Sequence, residues 1–106
     1  MTLEEKEKAI INNYGVIPQL KYFQGEIFEM NEAIIRYEQF LIDSEKGISD
    51  ILRDNIMEEI ADVQLMLNQF KRHYDISDEI IKVIMNKKAD RQLKRIEEEG
   101  KKVWMK

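Results

Sequence analysis

The chain contains no cysteine, a single proline, four glycines and one histidine. Without cysteine there is no disulfide and no thiolate metal site, which suits a reducing compartment. So few turn-forming residues argue against a β-rich fold, which must turn every few residues, and for long helices. No apolar run is long enough to cross a bilayer, and the first residues lack a signal-peptide core. The expectation is a cytoplasmic protein with no membrane partner. Positive charge is not in excess either: the net charge is −4, so general affinity for a nucleic-acid polymer is not expected. A P-loop of the form G-x-x-x-x-G-K-[ST] is missing. His73 has no acid three residues before it, which rules out the paired E-x-x-H motifs of a ferritin-like di-iron bundle.

What is present is charge and helical periodicity. The 106 residues, 43% hydrophobic and 36% charged, suit one small all-α domain, a bundle of three to four helices. A first helix is expected over 2–12, capped by Thr2 with Glu4 and Glu5 in its first turn, and broken by the Asn12–Gly15 segment. A second is expected over 18–42, with Pro18 in its first turn and a stripe of Leu20, Phe23, Ile27, Met30, Ile34, Tyr37 and Leu41. A loop over 43–50, with Ser44, Gly47 and Ser49, leads to a third helix over 51–74, striped by Ile56, Ile60, Val63, Leu67 and Phe70. Ser77 caps a fourth helix, which Gly100 is expected to end before a basic tail over 101–106. Phe28, Ile35, Leu65 and Ile81 add apolar surface outside these stripes, so the bundle is expected to be completed by self-association, as a homodimer or a dimer of dimers.

Two acidic pairs stand out. Glu26/Glu29 and Glu59/Asp62 are each spaced i, i+3 on an expected helix, so each pair shares a side of its helix. Spacing alone is weak evidence among 21 acidic residues, and Glu29/Glu32 has the same spacing. The neighbours are more informative. Phe23, Met30, Ala33 and Met66 flank the pairs one turn away, and no lysine or arginine follows at i+4 to make a surface ion pair. Ala33 and Ala61 are small enough for close approach. The residues leave two readings open. One is an inward carboxylate cluster, which needs a hard divalent cation to offset its repulsion. The other is the solvated face of a non-catalytic helical interaction module. Tyr14, Tyr22, Tyr37 and Phe23 are possible platforms for a nucleobase and read first as core residues.

The motifs resemble those of the MazG-like all-α nucleoside triphosphate pyrophosphohydrolases, over about residues 15–97 of the 1–106 domain. That family carries E-x-x-E on one helix and E-x-x-D on the next, here Glu26-Ile27-Phe28-Glu29 and Glu59-Ile60-Ala61-Asp62. Asn86-Lys87-Lys88-Ala89-Asp90-Arg91 is similar to the family's later N-x-K-x-x-R stretch. Two departures are Gly25, where many members have a further acid, and a long link between the motifs. The resemblance implies hydrolysis of a nucleoside triphosphate to its monophosphate and pyrophosphate. It implies Mg²⁺, or Mn²⁺ in its place, held by Glu26, Glu29, Glu59 and Asp62. Glu29 or Glu59 would be the catalytic base, and Asn86, Lys88 and Arg91 would bind phosphate. It also admits relatives acting on phosphoribosyl-ATP or on dUTP and dCTP.

Overall fold

The computed structural model describes residues 1–43 and 49–104. They form four helices: α1 (Leu3–Tyr14), α2 (Val16–Asp43), α3 (Ser49–His73) and α4 (Asp78–Trp104), with no strand among the described residues. No helix is long and apolar enough to cross a membrane. The chain divides into two compact units, Met1–Tyr74 and Asp75–Lys106. The first contains α1–α3 and the second is built on α4.

Local chemistry sets most of the helix ends. Thr2 and Glu5 form a capping box: the Glu5 amide donates to Thr2 Oγ1 at 3.1 Å, and the Thr2 amide donates to Glu5 Oε1 at 3.3 Å. The Ile80 amide donates to Ser77 Oγ at 3.2 Å and so caps α4. Lys71, Arg72 and His73 occupy the last turn of α3, where the helix dipole favours cations. The expected loop is bracketed by Asp43 and Ser49; its centre, including Ser44 and Gly47, lies outside the described residues, as do Met105 and Lys106 of the expected tail. Gly100 does not end α4, which continues to Trp104. An interior glycine costs a helix only about 1 kcal/mol, and a Glu97–Lys101 ion pair at 3.2 Å spans this position.

In the first unit, α3 packs against both α1 and α2. The α2 seam runs through Gln19, Phe23, Glu26, Met30, Ala33, Tyr37 and Phe40, all buried or half-buried. The α3 seam runs through Leu52, Ile56, Glu59, Val63, Met66 and Phe70. Both alternate steps of four and three, the repeat of two helices meshing side by side. This corrects the expected α2 stripe. Leu20, Ile34 and Leu41 are exposed, and the seam uses Gln19, Ala33 and Phe40 one position earlier. The expected α3 stripe needs the same correction at Ile60 and Leu67, both exposed. Ala33, almost fully buried, lets the backbones come close at the seam's middle, whereas Ala61 is exposed. Phe23 and Phe70 close one end edge to face, with ring centroids 5.5 Å apart.

Charge holds α1 to α3. Glu7 is 2% exposed and lies 3.6 Å from Arg72 Nε, while Glu4 meets Arg72 Nη1 at 3.2 Å. Ile11 packs one turn after Glu7. Removing one partner from a buried pair strands the other charge. Arg72→Ala should therefore cost about 3 kcal/mol or more in urea unfolding. Arg36→Ala, which breaks the exposed Glu32–Arg36 pair, should cost about 0.5 kcal/mol or less.

Candidate metal centre

The helix seam carries acids at core positions. Glu26 on α2 is 7% exposed, Glu59 on α3 is half-buried, and Glu29 is exposed. One carboxylate oxygen from each of the three lies within 4.8 Å of the other two. Oε2 of Glu26 and Oε2 of Glu59 are sealed from solvent without a hydrogen-bond partner. No ion pair neutralises any member of the group among the described residues. Buried carboxylate oxygens normally find a partner. Two orphaned ones, with a third carboxylate at the rim, form an all-oxygen donor set suited to a hard divalent cation.

The electrostatics follow from this crowding. Burial pushes the Glu59 carboxyl above its ordinary value of 4.5, and the charges of Glu29, Asp62, Glu26 and Glu58 push in the same direction. Hydrogen bonding toward Glu26, together with the Glu26 charge, raises the Tyr22 phenol above its ordinary value of 10.0. Asp62 is exposed and stands outside the 4.8 Å group. It lies close enough for its charge to act on both Glu59 and Tyr22. Glu58 is exposed.

Beside the cluster lies a cavity of about 560 Å³ lined by residues of α1, α2 and α3. Glu26 and Asp62 belong to its wall, with Tyr14 and Tyr22. Gln19, Met66 and Gln69 form its buried part. Of the four aromatic residues read as possible base platforms, Tyr14 and Tyr22 are exposed on this cavity, Phe23 is stacked on Phe70, and Tyr37 is half-buried in the seam. The two buried glutamines escaped the sequence reading because amide side chains do not register in a search for apolar stripes. Their one available signal was position, since Gln19 falls in step with the seam.

Asn86, Lys88 and Arg91 are exposed on α4, in the second unit. Lys88 and Arg91 line a shallow cleft of about 190 Å³ with Gln92 and Arg95, so three cationic side chains share one face of the helix.

No protein-family model, curated protein or solved structure matches this chain.

A raised Glu59 value means that the folded protein holds a proton there more tightly than the unfolded chain. That stabilisation is fully present below the ordinary value of 4.5 and is lost as pH rises through the folded-state value. Glu59→Gln has no charge to lose. In chelator it should melt above the wild type at neutral pH, and the gap should narrow as the pH falls toward 4.5. Calorimetry across this range checks the sign; equal melting temperatures at neutral pH would contradict the convergence of the carboxylates.

Proposed function

We propose that this chain is a divalent-cation-dependent nucleoside triphosphate pyrophosphohydrolase of the MazG-like all-α kind. The observation that carries the reading is the meeting of Glu26, Glu29 and Glu59, contributed by both acidic motifs, with two sealed and unpartnered oxygens. A Mg²⁺ ion, or Mn²⁺ in its place, seated among these residues would neutralise the triphosphate and draw electron density from phosphorus. Asp62 completes the four-acid set that the resemblance implies.

The protein's own groups have distinct tasks. Glu26, buried in the seam, would be a fixed ligand. Glu29 is the member that water reaches. Either it or Glu59 accepts the proton of the water that adds to the α-phosphorus. The bond to the bridging oxygen breaks, pyrophosphate leaves, and the monophosphate remains. Lys88 and Arg91 act on phosphate charge, with Asn86 as a further donor. The cationic cleft on α4 supports this role, because three positive side chains on one helix face suit a polyanion. Nucleotides with unusual sugars or bases, phosphoribosyl-ATP and dUTP or dCTP all fall within the reaction class.

Self-association belongs to the same proposal. Only Ile11, Ala33, Val63 and Met66 are buried apolar residues among those described, while Phe28, Ile35, Ile80, Ile84 and Met85 stand in solvent. A homodimer or a dimer of dimers would cover such surface. The same exposed side chains favour a second reading, a non-catalytic helical module that binds another protein and needs no cation.

Two measurements separate these readings. With Mg²⁺ or Mn²⁺ at about one hundred times its dissociation constant, the hydrolase should gain about 2.7 kcal/mol of stability, and no cation effect at millimolar concentration favours the module. In a pyrophosphate-release assay, Glu59→Gln and Asp62→Asn should each lower turnover about a hundredfold or more with helix content retained. Near-normal turnover in both variants removes the assignment.

A further inference from the structure

The buried part of the cavity beside the carboxylates holds two amide side chains where a helix seam ordinarily holds apolar ones. Gln19 is 8% exposed and Gln69 is 2% exposed. Gln19 Nε2 donates to Gln69 Oε1 at 2.8 Å. Their other protein partner is the Met66 sulfur, 3.9 Å from Gln19 Nε2 and 3.7 Å from Gln69 Nε2. A thioether is a weak acceptor. Among the described residues, Gln19 Oε1 accepts no hydrogen bond, and Gln69 Nε2 has no oxygen acceptor. Gln19 Oε1 is not among the described side-chain atoms sealed from solvent without a partner, so it stays open to solvent. The two amides that carry this acceptor and this donor line one cavity and are joined by a hydrogen bond.

We infer that this cavity binds the base of a nucleotide, and that the Gln19–Gln69 amide pair determines which base is accepted. The pyrophosphohydrolase reading supplies the identity of the ligand; the cavity and its free amide groups do not depend on it. The remaining acceptor and donor capacity of the two amides suits the polar edge of a heterocycle, the kind of edge that glutamine reads in nucleic-acid recognition. Tyr14 and Tyr22 are each 61% exposed on the same cavity and offer ring faces for stacking. At about 560 Å³ the cavity lies within the range of small-molecule sites. Among the described residues its wall includes Glu26 and Asp62 and no lysine, arginine or histidine. It therefore repels phosphate and accepts the uncharged end of the ligand. Glu26 belongs both to this wall and to the cation-binding group, so a base inside directs its phosphates toward the carboxylates.

The test uses free nucleosides, which carry no phosphate, and the full chain in chelator, so neither cation nor hydrolysis contributes. Adenosine, guanosine, cytidine, uridine and thymidine are titrated at millimolar concentration and followed by the side-chain amide and tyrosine signals in NMR spectra. At least one nucleoside should bind, shifting the Gln19 or Gln69 amide. Gln69→Leu should weaken the preferred nucleoside about tenfold or more and the least preferred one far less. Gln69→Glu, which replaces the donor with an acceptor in the same shape, should reorder the series. Tyr22→Ala, at an exposed position, should weaken every nucleoside while keeping their order, and it serves where the glutamine variants do not fold. A purely structural amide pair would lower stability and leave the order unchanged in both glutamine variants. That result overturns the inference, as does the absence of binding by any nucleoside. Selective nucleoside binding without pyrophosphate release would leave the base pocket standing and remove the hydrolase reading. Pyrophosphate release at equal rates from all bases would do the reverse.

Discussion

Glu26, Glu29 and Glu59 bring one carboxylate oxygen each within 4.8 Å of the other two, and the pairing of α2 with α3 holds them there. In a meshed helix pair, the positions alternating by four and three are the ones that reach the partner. Glu26 and Glu59 lie in that register, between Phe23 and Met30 on one helix and between Ile56 and Val63 on the other. Ala33, Val63 and Met66 provide the close apolar contact of the seam, and the acids are carried inward with it. Their repulsion opposes folding and is concentrated at one place. Stabilisation therefore has to come from elsewhere in the unit: the Phe23–Phe70 pair, the glutamine bridge and the Glu7–Arg72 ion pair. A cation seated among the acids would turn a repulsive cluster into an attractive one, which links cation binding to the integrity of the α2–α3 pair.

Helix positions were largely legible in the sequence, because their signals are local. Thr2 with Glu5, Ser77 before Asp78 and Pro18 near the start of α2 are end markers within a few residues of the ends they mark. The inward placement of Glu26 and Glu59 was legible for a related reason: acids without a basic residue at i+4, flanked by apolar residues, are badly placed on a solvated face. Glu29 and Asp62 carry the same signals and are exposed. The phase of the seam was not legible. Leu20, Ile27, Ile34 and Leu41 repeat every seven residues, and so do Gln19, Glu26, Ala33 and Phe40. Periodicity cannot choose between two registers of equal period. Hydropathy alone favours the first set, and the fold of the unit uses the second, in which Ala33 permits closer approach. The Glu7–Arg72 pair was beyond reach for another reason. Its partners are far apart in the chain, and nothing near either one announces the other.

The exposed side of the unit complements this account. A helix that is apolar over a wide arc has more apolar surface than one neighbour can cover, and α2 meets its main neighbour through its less apolar register. Phe28 and Ile35 remain in solvent on the same helix that supplies Glu26 and Glu29. Whatever covers them would touch the helix that carries two of the three acids, so an association surface and a cation site on α2 would not be mechanically independent.

Between α1 and α2 there is one residue, Gly15, with φ 85° and ψ 161°. This backbone region is essentially closed to residues with a Cβ. A Cβ placed there would meet nothing closer than Pro18 Cδ at 3.8 Å, so the barrier is torsional and not one of space. The joint has no spare chain to absorb a different angle. Ile10 and Tyr14 reach the cavity from one side of it, and Pro18, Gln19 and Tyr22 from the other. Gly15 touches neither the acids nor the cavity, yet it sets the angle at which the two walls meet. In terms of inheritance, it is a position where a single-letter change could alter what the protein accepts while leaving every residue that lines the cavity as it was.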